Sequence, residues 1–448
     1  SRDWLKQFEW TVNHTLNRGD HLFRSVAGYS FAEDFSENMS MTNYDFSFDQ
    51  FLYHDIGAGS YLSSGKANMG SNKSSSRLVA LFGRVNYSWR DLLTATTSLR
   101  YEGSSRFGVN NKWGYFPAVS GAWEIANMPF MENVSEVRSL RLRASYGVTG
   151  RRAGSNYQSL QTYRPRHNYF LDGRWVTGFA PSKNANPDLQ WELGVATNVG
   201  VDFDIFNRFR GSVEYFDRRS ENLLYTYSAP QPPFLYPSIL VNLGSTKNVG
   251  VETSLEADII LKENFSWQMS GTYTFGTTKL TKLSDDVFQA AYLDLYQRGG
   301  LGTSEYYFRI EEGGKIGQIF GYEHAGIDEN GELLVYSEEG ELIPKTAADN
   351  SDKRYIGNTA PKYFFSWINS VKYKNWDLSL TTRGAAGMDM WNGQLFSIGL
   401  KGSPANNVLR TAYTTYDHIT SDGAILSSFF LENGAWLNIE RITLGYNC

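Results

Sequence analysis

The sequence predicts an all-β protein, a large antiparallel transmembrane β-barrel with long extracellular loops. Three observations lead there. Apolar and polar residues alternate with period two in segments of about ten residues, the pattern of strands that face lipid on one side and water on the other. No run of about 18 consecutive apolar residues exists that a helix could use to cross a bilayer. Aromatic residues make up 15% of the 448 residues, a surplus that suits girdles at two membrane interfaces or a carbohydrate-binding surface.

Taken along the chain, the alternation is clear in several places. Leu93, Ala95, Thr97, Leu99 and Tyr101 alternate with Thr94, Thr96, Ser98, Arg100 and Glu102, so one face meets lipid and the other a wet lumen. Leu140 to Val148 repeats this against Arg141, Arg143, Ser145 and Thr149, and Val195 to Ile205 against Asn198, Asp202 and Asp204. Val249 to Ala257 opposes Glu252, Ser254, Glu256 and Asp258; Trp267, Met269, Tyr273 and Phe275 oppose Gln268, Ser270, Thr272 and Thr274; Trp376, Leu378 and Leu380 oppose Asp377, Ser379 and Arg383. These runs approach the 9–11 residues that about 45° of tilt requires of a membrane-crossing strand, against a mode of about 5–6 in globular sheets. Trp10, Tyr87, Trp89, Trp123, Trp367 and Tyr446 are expected near strand ends.

Tight turns are expected at Phe206-Asn207-Arg208 and Lys374-Asn375, where Asn tolerates the left-handed backbone of a short hairpin. Long excursions rich in Gly, Ser, Asn, Pro and Tyr cover roughly 35–77, 150–190, 228–246, 277–303, 324–355 and 386–428. This asymmetry of short and long connections is that of outer-membrane barrels, and it counts against a soluble carbohydrate-binding β-sandwich, whose strands also alternate. No stretch reads as an amphipathic helix, and roughly fifteen strand candidates place the whole of residues 1–448 in one barrel domain.

Composition removes other classes. A formal net charge of −5 with dispersed basic residues gives no nucleic-acid footprint. The single cysteine, Cys448, supports neither a disulfide framework nor a thiolate metal site. Ser1 to Leu5 carry no leader-like charge followed by an apolar stretch. GxSxG, GxxxxGK[ST], GxGxxG and HExxH motifs are absent, so no hydrolase or nucleotide chemistry is indicated. The histidines are far apart, and Glu252 and Glu256 sit on a strand face better explained as lumen wall than as a glycosidase pair. Asp328-Glu329-Asn330-Gly331-Glu332 places oxygen ligands at alternate positions, but its glycine is misplaced for an EF-hand loop and a hairpin turn is favoured. No metal and no cofactor is expected.

The most ligand-like loop carries Tyr163, Arg164, Arg166, Tyr169 and Trp175: aromatic faces stack on sugar rings and Arg forks bind carboxylates or hydroxyl pairs. Trp391 and Asn392 form a second candidate.

Several blocks resemble the SusC/RagA family of TonB-linked outer-membrane proteins. They run in order from LFGRVNYS at Leu81 and LRYEGSSRFG at Leu99 through NKWGYFP at Asn111 and LRLRASYGVTG at Leu140. NPDLQWE at Asn186, NLG at Asn242, NVGVE at Asn248 and IGN at Ile356 follow, and ENGAWL at Glu432 leads into ITLGYN at Ile442. The resemblance implies a barrel in the outer membrane of a Gram-negative, Bacteroides-type bacterium, closed by an N-terminal plug that TonB pulls and capped by a SusD-like lipoprotein. Such pairs import oligosaccharides or, in some members, peptides. The chain shows neither the plug nor the family's last strands, so the barrel is expected to be incomplete at both ends. A TonB-dependent receptor for a metal chelate and an outer-membrane hydrolase are the alternatives.

Overall fold

The computed structural model describes residues 1–51, 53–284, 289–300, 303–401, 407–420 and 425–447; Cys448 and parts of the expected excursions 277–303 and 386–428 lie outside them. Thirteen strands form one sheet in chain order. They are β1 (Arg2–Arg18), β2 (His21–Thr42), β3 (Asn68–Trp89), β4 (Leu93–Ser104), β5 (Trp113–Glu124), β6 (Val137–Arg151) and β7 (Glu192–Ile205). They continue as β8 (Phe209–Glu221), β9 (Ser245–Lys262), β10 (Phe265–Lys282), β11 (Tyr363–Tyr373), β12 (Trp376–Ala386) and β13 (Trp436–Tyr446). Each neighbouring pair is antiparallel, and β1 and β13 are the sheet's edges.

The tight turns lie at one end, together with the 125–136 connection, and the longest connections lie at the other. The short ones include 19–20, 90–92, 206–208, 263–264 and 374–375. Phe206 and Asn207 have φ of 55° and 52° and Lys374 of 51°, the left-handed backbone expected of a tight hairpin.

Register converts the alternation into two continuous faces. Trp10 pairs with Tyr29, Tyr29 with Leu81, Leu81 with Tyr101 and Tyr101 with Tyr115, all on the outer face. Further round, Leu142 pairs with Val201, Val201 with Val213 and Val213 with Thr253. Aromatic pairs gather at two heights: Phe23 with Tyr87 at 4.9 Å and Trp376 with Tyr446 at 4.8 Å near the short turns, Tyr101 with Trp113 at 4.7 Å and Phe275 with Tyr363 at 5.5 Å near the long loops. On β10 and β11 ten residues separate Phe265 and Tyr373 at the lower height from Phe275 and Tyr363 at the upper, roughly 33 Å of chain, which at about 40° of tilt crosses an apolar band about 25 Å tall. Trp10 and Trp367, expected near strand ends, instead lie inside their strands. Girdles are set by height in the bilayer: β1 runs on above it, which leaves Trp10 inside its strand, whereas Trp367 stands between the two aromatic heights marked by Tyr363 and Tyr373.

That continuation corrects the first expected excursion. Residues 35–42 and 68–77 are strand, paired down to Thr42 opposite Asn68, so only 43–67 connects. One face of this extension is polar and the other mixes Glu37, Lys73 and Ser71 with Phe35, Met39, Met41 and Met69, without the sustained apolar stripe of a lipid-facing strand, and Arg77 Nε binds Glu33 at 2.7 Å. The other long connections also contain sheet. Thr162–Leu171 pairs with Arg174–Lys183, Leu224–Ser228 with Ser238–Asn242, and Tyr292–Gly300 with Thr303–Glu311. His324–Ile327, Leu333–Tyr336 and Leu342–Pro344 form a three-stranded sheet. One helix, α1 (Gly393–Ile398), where none was expected, lies in the last connection. No helix is long and apolar enough to cross a membrane among the described residues.

Candidate functional site

At the loop end the chain builds a rim before it builds anything that can bind. Phe107 and Trp191 are buried against each other at 4.6 Å, and Phe116 meets Trp191 edge-on at 5.2 Å. The Trp191 indole donates to the Lys112 carbonyl at 3.2 Å. Asn110 donates to the Asp188 carboxylate at 2.7 Å, and Asn111 to the Asp188 carbonyl at 2.9 Å. Gly108 passes so near Pro187 that a Cβ would stand 1.9 Å from its carbonyl oxygen, which leaves glycine as the residue that fits. Asn242 returns the favour to Gln190, accepting from its N–H at 2.8 Å and donating to its carbonyl at 2.9 Å. Sequence blocks far apart in the chain thus clamp the bases of three long connections.

Arg106 ties this rim to the next connection, donating to the Ala153 and Gly154 carbonyls at 3.0 and 3.1 Å. Burial pushes its guanidinium below the usual arginine range.

Below the rim the inner face is wet and ion-paired. Arg143 reaches Asp202 at 3.1 Å and also binds Glu214; Arg210 spans Glu256 at 2.9 Å and Asp258 at 3.1 Å. Arg218 binds Glu252 at 3.5 Å while lying 4.4 Å over the Phe216 ring. Phe216 in turn lies across Gly250 and Gly276, where a side chain would meet its ring. Glu252 and Glu256 are partners of arginines on a lumen wall, as the alternation implied.

The first candidate loop is a hairpin standing above the rim. Its turn is Asp172-Gly173, with φ of 51° and 77°, the strongest short hairpin signal a sequence offers. Pairing of Tyr163 with Pro181, Pro165 with Phe179, Asn168 with Thr177 and Phe170 with Trp175 puts those residues on one face. Tyr163, Phe170, Trp175 and Phe179 are 60%, 62%, 71% and 68% exposed. Arg164 and Tyr169 pair with Ala180 and Val176 on the opposite face, and Arg166 sits at a register shift between them. The structure therefore puts Tyr163 and Trp175 on one face, near opposite ends of the hairpin, separates them from Arg164 and Tyr169, and adds Phe179 and, in ring contact with Trp175 at 5.5 Å, Phe170. Period-two reading back from the Asp-Gly turn would have found both.

The second candidate divides differently. Asn392 caps α1, accepting from the Leu395 N–H at 2.8 Å and donating to Glu432 at 2.6 Å, so its side chain is committed to structure. Trp391 packs against Tyr307, Phe396 and Phe430 at 5.1, 5.2 and 5.6 Å. Asp328 accepts from the N–H groups of Asn330 and Glu332 at 2.9 and 2.7 Å around Gly331, whose φ is +82°. That is the favoured hairpin turn, and no group of metal-ligating side chains occurs among the described residues.

With this architecture in view, the comparisons with known proteins are direct. The family model described as TonB dependent receptor-like, beta-barrel matches residues 1–418. The chain belongs to that family. TonB-dependent receptor SusC of Bacteroides thetaiotaomicron is 27% identical over 83% of this chain and 38% of its own length. TonB-dependent receptor P3 of Formosa agariphila is 26% identical over 97% of this chain and 44% of its own. The solved RagAB peptide importer in its closed-closed state superposes with a TM-score of 0.82 at 22% identity, covering 99% of this chain and 49% of that one. The chain spans less than half the length of each of these relatives. The sheet is accordingly an outer-membrane barrel wall, with its short turns toward the periplasm and its long connections outside the cell.

The extracellular part of this receptor barrel also contains partly buried titratable groups. Arg309 binds Asp294 through two contacts of 2.8 and 2.9 Å between the rings of Tyr292 and Phe320, and the hydrogen bonds to Asp294 hold it above the usual range. Burial, with Glu311 nearby, pushes the Tyr355 hydroxyl up to about 12. Burial lowers His324, which packs on Phe429 at 5.0 Å.

Proposed function

We propose that this barrel forms the conduit of a TonB-dependent importer of oligosaccharides or peptides that works with a SusD-like surface lipoprotein. The observation that carries this reading is the aromatic face of the 162–183 hairpin. Four large rings, each more than half exposed, stand on one face of the hairpin, with Arg164 and Arg174 on the other. An exposed aromatic face of that kind is what interfaces use, and a connection serving only to join two strands would be short. The relatives, a SusC receptor and a peptide importer, support the same reading. Tyr163 and Trp175 are the residues of the first candidate that would touch substrate or lid.

The sheet's open edges fit a barrel completed by further strands, since an unpaired strand edge in lipid leaves backbone groups without partners. Energy coupling belongs to a plug held inside the closed barrel. No covalent chemistry is required, because the task is passage rather than reaction.

The test is capture and uptake in the intact receptor. Detergent-solubilised membranes carrying the full-length protein should retain a surface lipoprotein, and Trp175→Ala with Phe179→Ala should weaken that retention by roughly 2 kcal/mol or more if these rings are central anchors. Retention of no lipoprotein by either form, with normal TonB-dependent growth, would replace this model with a single-component receptor.

A further inference from the structure

Three cations stand in one row on the outer face of the wall. Arg219 of β8 is directly opposite Lys247 of β9, and Lys247 is directly opposite Lys279 of β10. Lys315, from the connection that follows, is bridged opposite Lys279. Like charges facing each other across a ladder repel. One carboxylate moderates the row: Asp217 is shared by Arg219 and Lys247 at 3.1 Å each. Glu221 is the other carboxylate on the outer face of these strands. Lys279 is exposed and has no carboxylate partner among the described residues.

The height of the row identifies what it faces. Directly beneath it the same face is apolar and aromatic, with Tyr215 opposite Val251, Val251 opposite Phe275 and Phe275 opposite Tyr363 at the upper aromatic height. The strand from Phe275 to Lys279 spans about 13 Å, or about 10 Å of height at about 40° of tilt. A headgroup layer is roughly 5–7 Å deep, and lysine and arginine side chains reach back along the wall to it.

We propose that this row binds the phosphate of an anionic lipid headgroup in the outer leaflet. The phosphate supplies the negative charge that Asp217 alone does not, and the acyl chains of the same molecule continue down the apolar face beneath. Continuity of the row with the lipid-facing surface favours a lipid over an acidic segment of a protein partner, since one lipid covers both at once. Such a site depends on the barrel's place in the membrane and not on what the barrel carries.

Native mass spectrometry of the detergent-solubilised full-length receptor with phosphatidate or phosphatidylcholine, and with inorganic phosphate as competitor, tests this. Phosphatidate, whose phosphate is bare, should bind more tightly than phosphatidylcholine, whose choline offsets the charge. Lys247→Gln with Lys279→Gln should weaken phosphatidate binding about tenfold or more, as loss of two cations at a membrane surface does. Lys247→Arg with Lys279→Arg keeps the charge and should retain binding, and Gln at the loop lysines Lys66 and Lys112 should leave it unchanged. The wild-type receptor should also resist urea better in vesicles containing phosphatidate than in phosphatidylcholine alone, and the Gln pair should lose that difference. Equal affinity for the two lipids, or phosphatidate binding unaltered in the Gln pair, overturns the site. Displacement of the lipid by an equal concentration of inorganic phosphate assigns the row to a free anion, and loss of a co-purifying lipoprotein from the Gln pair with lipid affinity unaltered assigns it to a protein; either result removes the lipid.

Discussion

Substituting Gly250 by alanine isolates one steric term in the barrel wall. Gly250 lies in β9 opposite Phe216 of β8 and Gly276 of β10. A Cβ there would stand 2.1 Å from the Phe275 carbonyl oxygen and 2.6 Å from Cζ of Phe216, whose ring is 3% exposed. The ring has little room to withdraw, and the carbonyl belongs to the neighbouring strand, so the ladder itself must yield. Overpacking of a tight site costs about 1–3 kcal/mol, and a backbone obstacle puts Gly250→Ala at the upper end. Gly83→Ala is the control, because its nearest obstacle is the Val26 carbonyl at 3.8 Å, and it should move stability by less than about 0.5 kcal/mol. Both changes restrict the unfolded chain alike, so their difference reads the clash. Urea unfolding of the full-length receptor in lipid vesicles, followed by heat-modifiable gel mobility and tryptophan fluorescence, measures it. Adding Phe216→Ala to Gly250→Ala should recover only the ring's share. Equal midpoints for the two alanine variants would refute the packing argument.

Three further outcomes follow from other parts of the molecule. Val201→Arg, on the outer face between Leu142 and Val213, should cost about 2–4 kcal/mol in vesicle folding titrations, whereas Arg at the inward Ser145 should cost far less. Trp191→Ala removes the centre of the rim and should cost about 3–5 kcal/mol, read as new proteolytic cleavage between 152 and 190 while the wall strands stay protected. His324 is held below its ordinary value by burial. The unfolded loop therefore takes up a proton first, and local stability, complete above about pH 6.5, should fall as pH drops toward the depressed folded value. Hydrogen exchange over 324–336 should show that loss between pH 7.5 and 5, and His324→Phe should remove it.

The wall was legible because its physics is local. Along β4 or β7 each residue chooses lipid or water by itself, so the sequence carries the facing directly. Extension of β2 and β3 past the bilayer was not legible, since Glu37, Asn38, Asn72 and Lys73 meet water whichever way they point and only backbone pairing makes them strand. The short helix at Gly393–Ile398 has six residues, too few to show a period. Asn392 was chosen for its chemistry, but its position three residues before a helical N–H made it a cap. Trp191 was visible as part of a motif, and its role emerged only once Phe107 and Lys112, remote in sequence, arrived beside it.

The paired charges of the inner wall bear on where discrimination resides. Arg143 is already engaged by Asp202 and Glu214, and Arg210 by Glu256 and Asp258, so each cation is outnumbered by carboxylates and each cluster is left weakly anionic. A solute moving along this surface meets no free cation that would hold an anionic group, and anions are disfavoured over neutral solutes. Such a corridor is permissive toward neutral solutes, whose transit rate should depend little on ionic strength. Choice among molecules then rests with the loops above the rim, which can diversify from one relative to the next while the corridor beneath them stays the same.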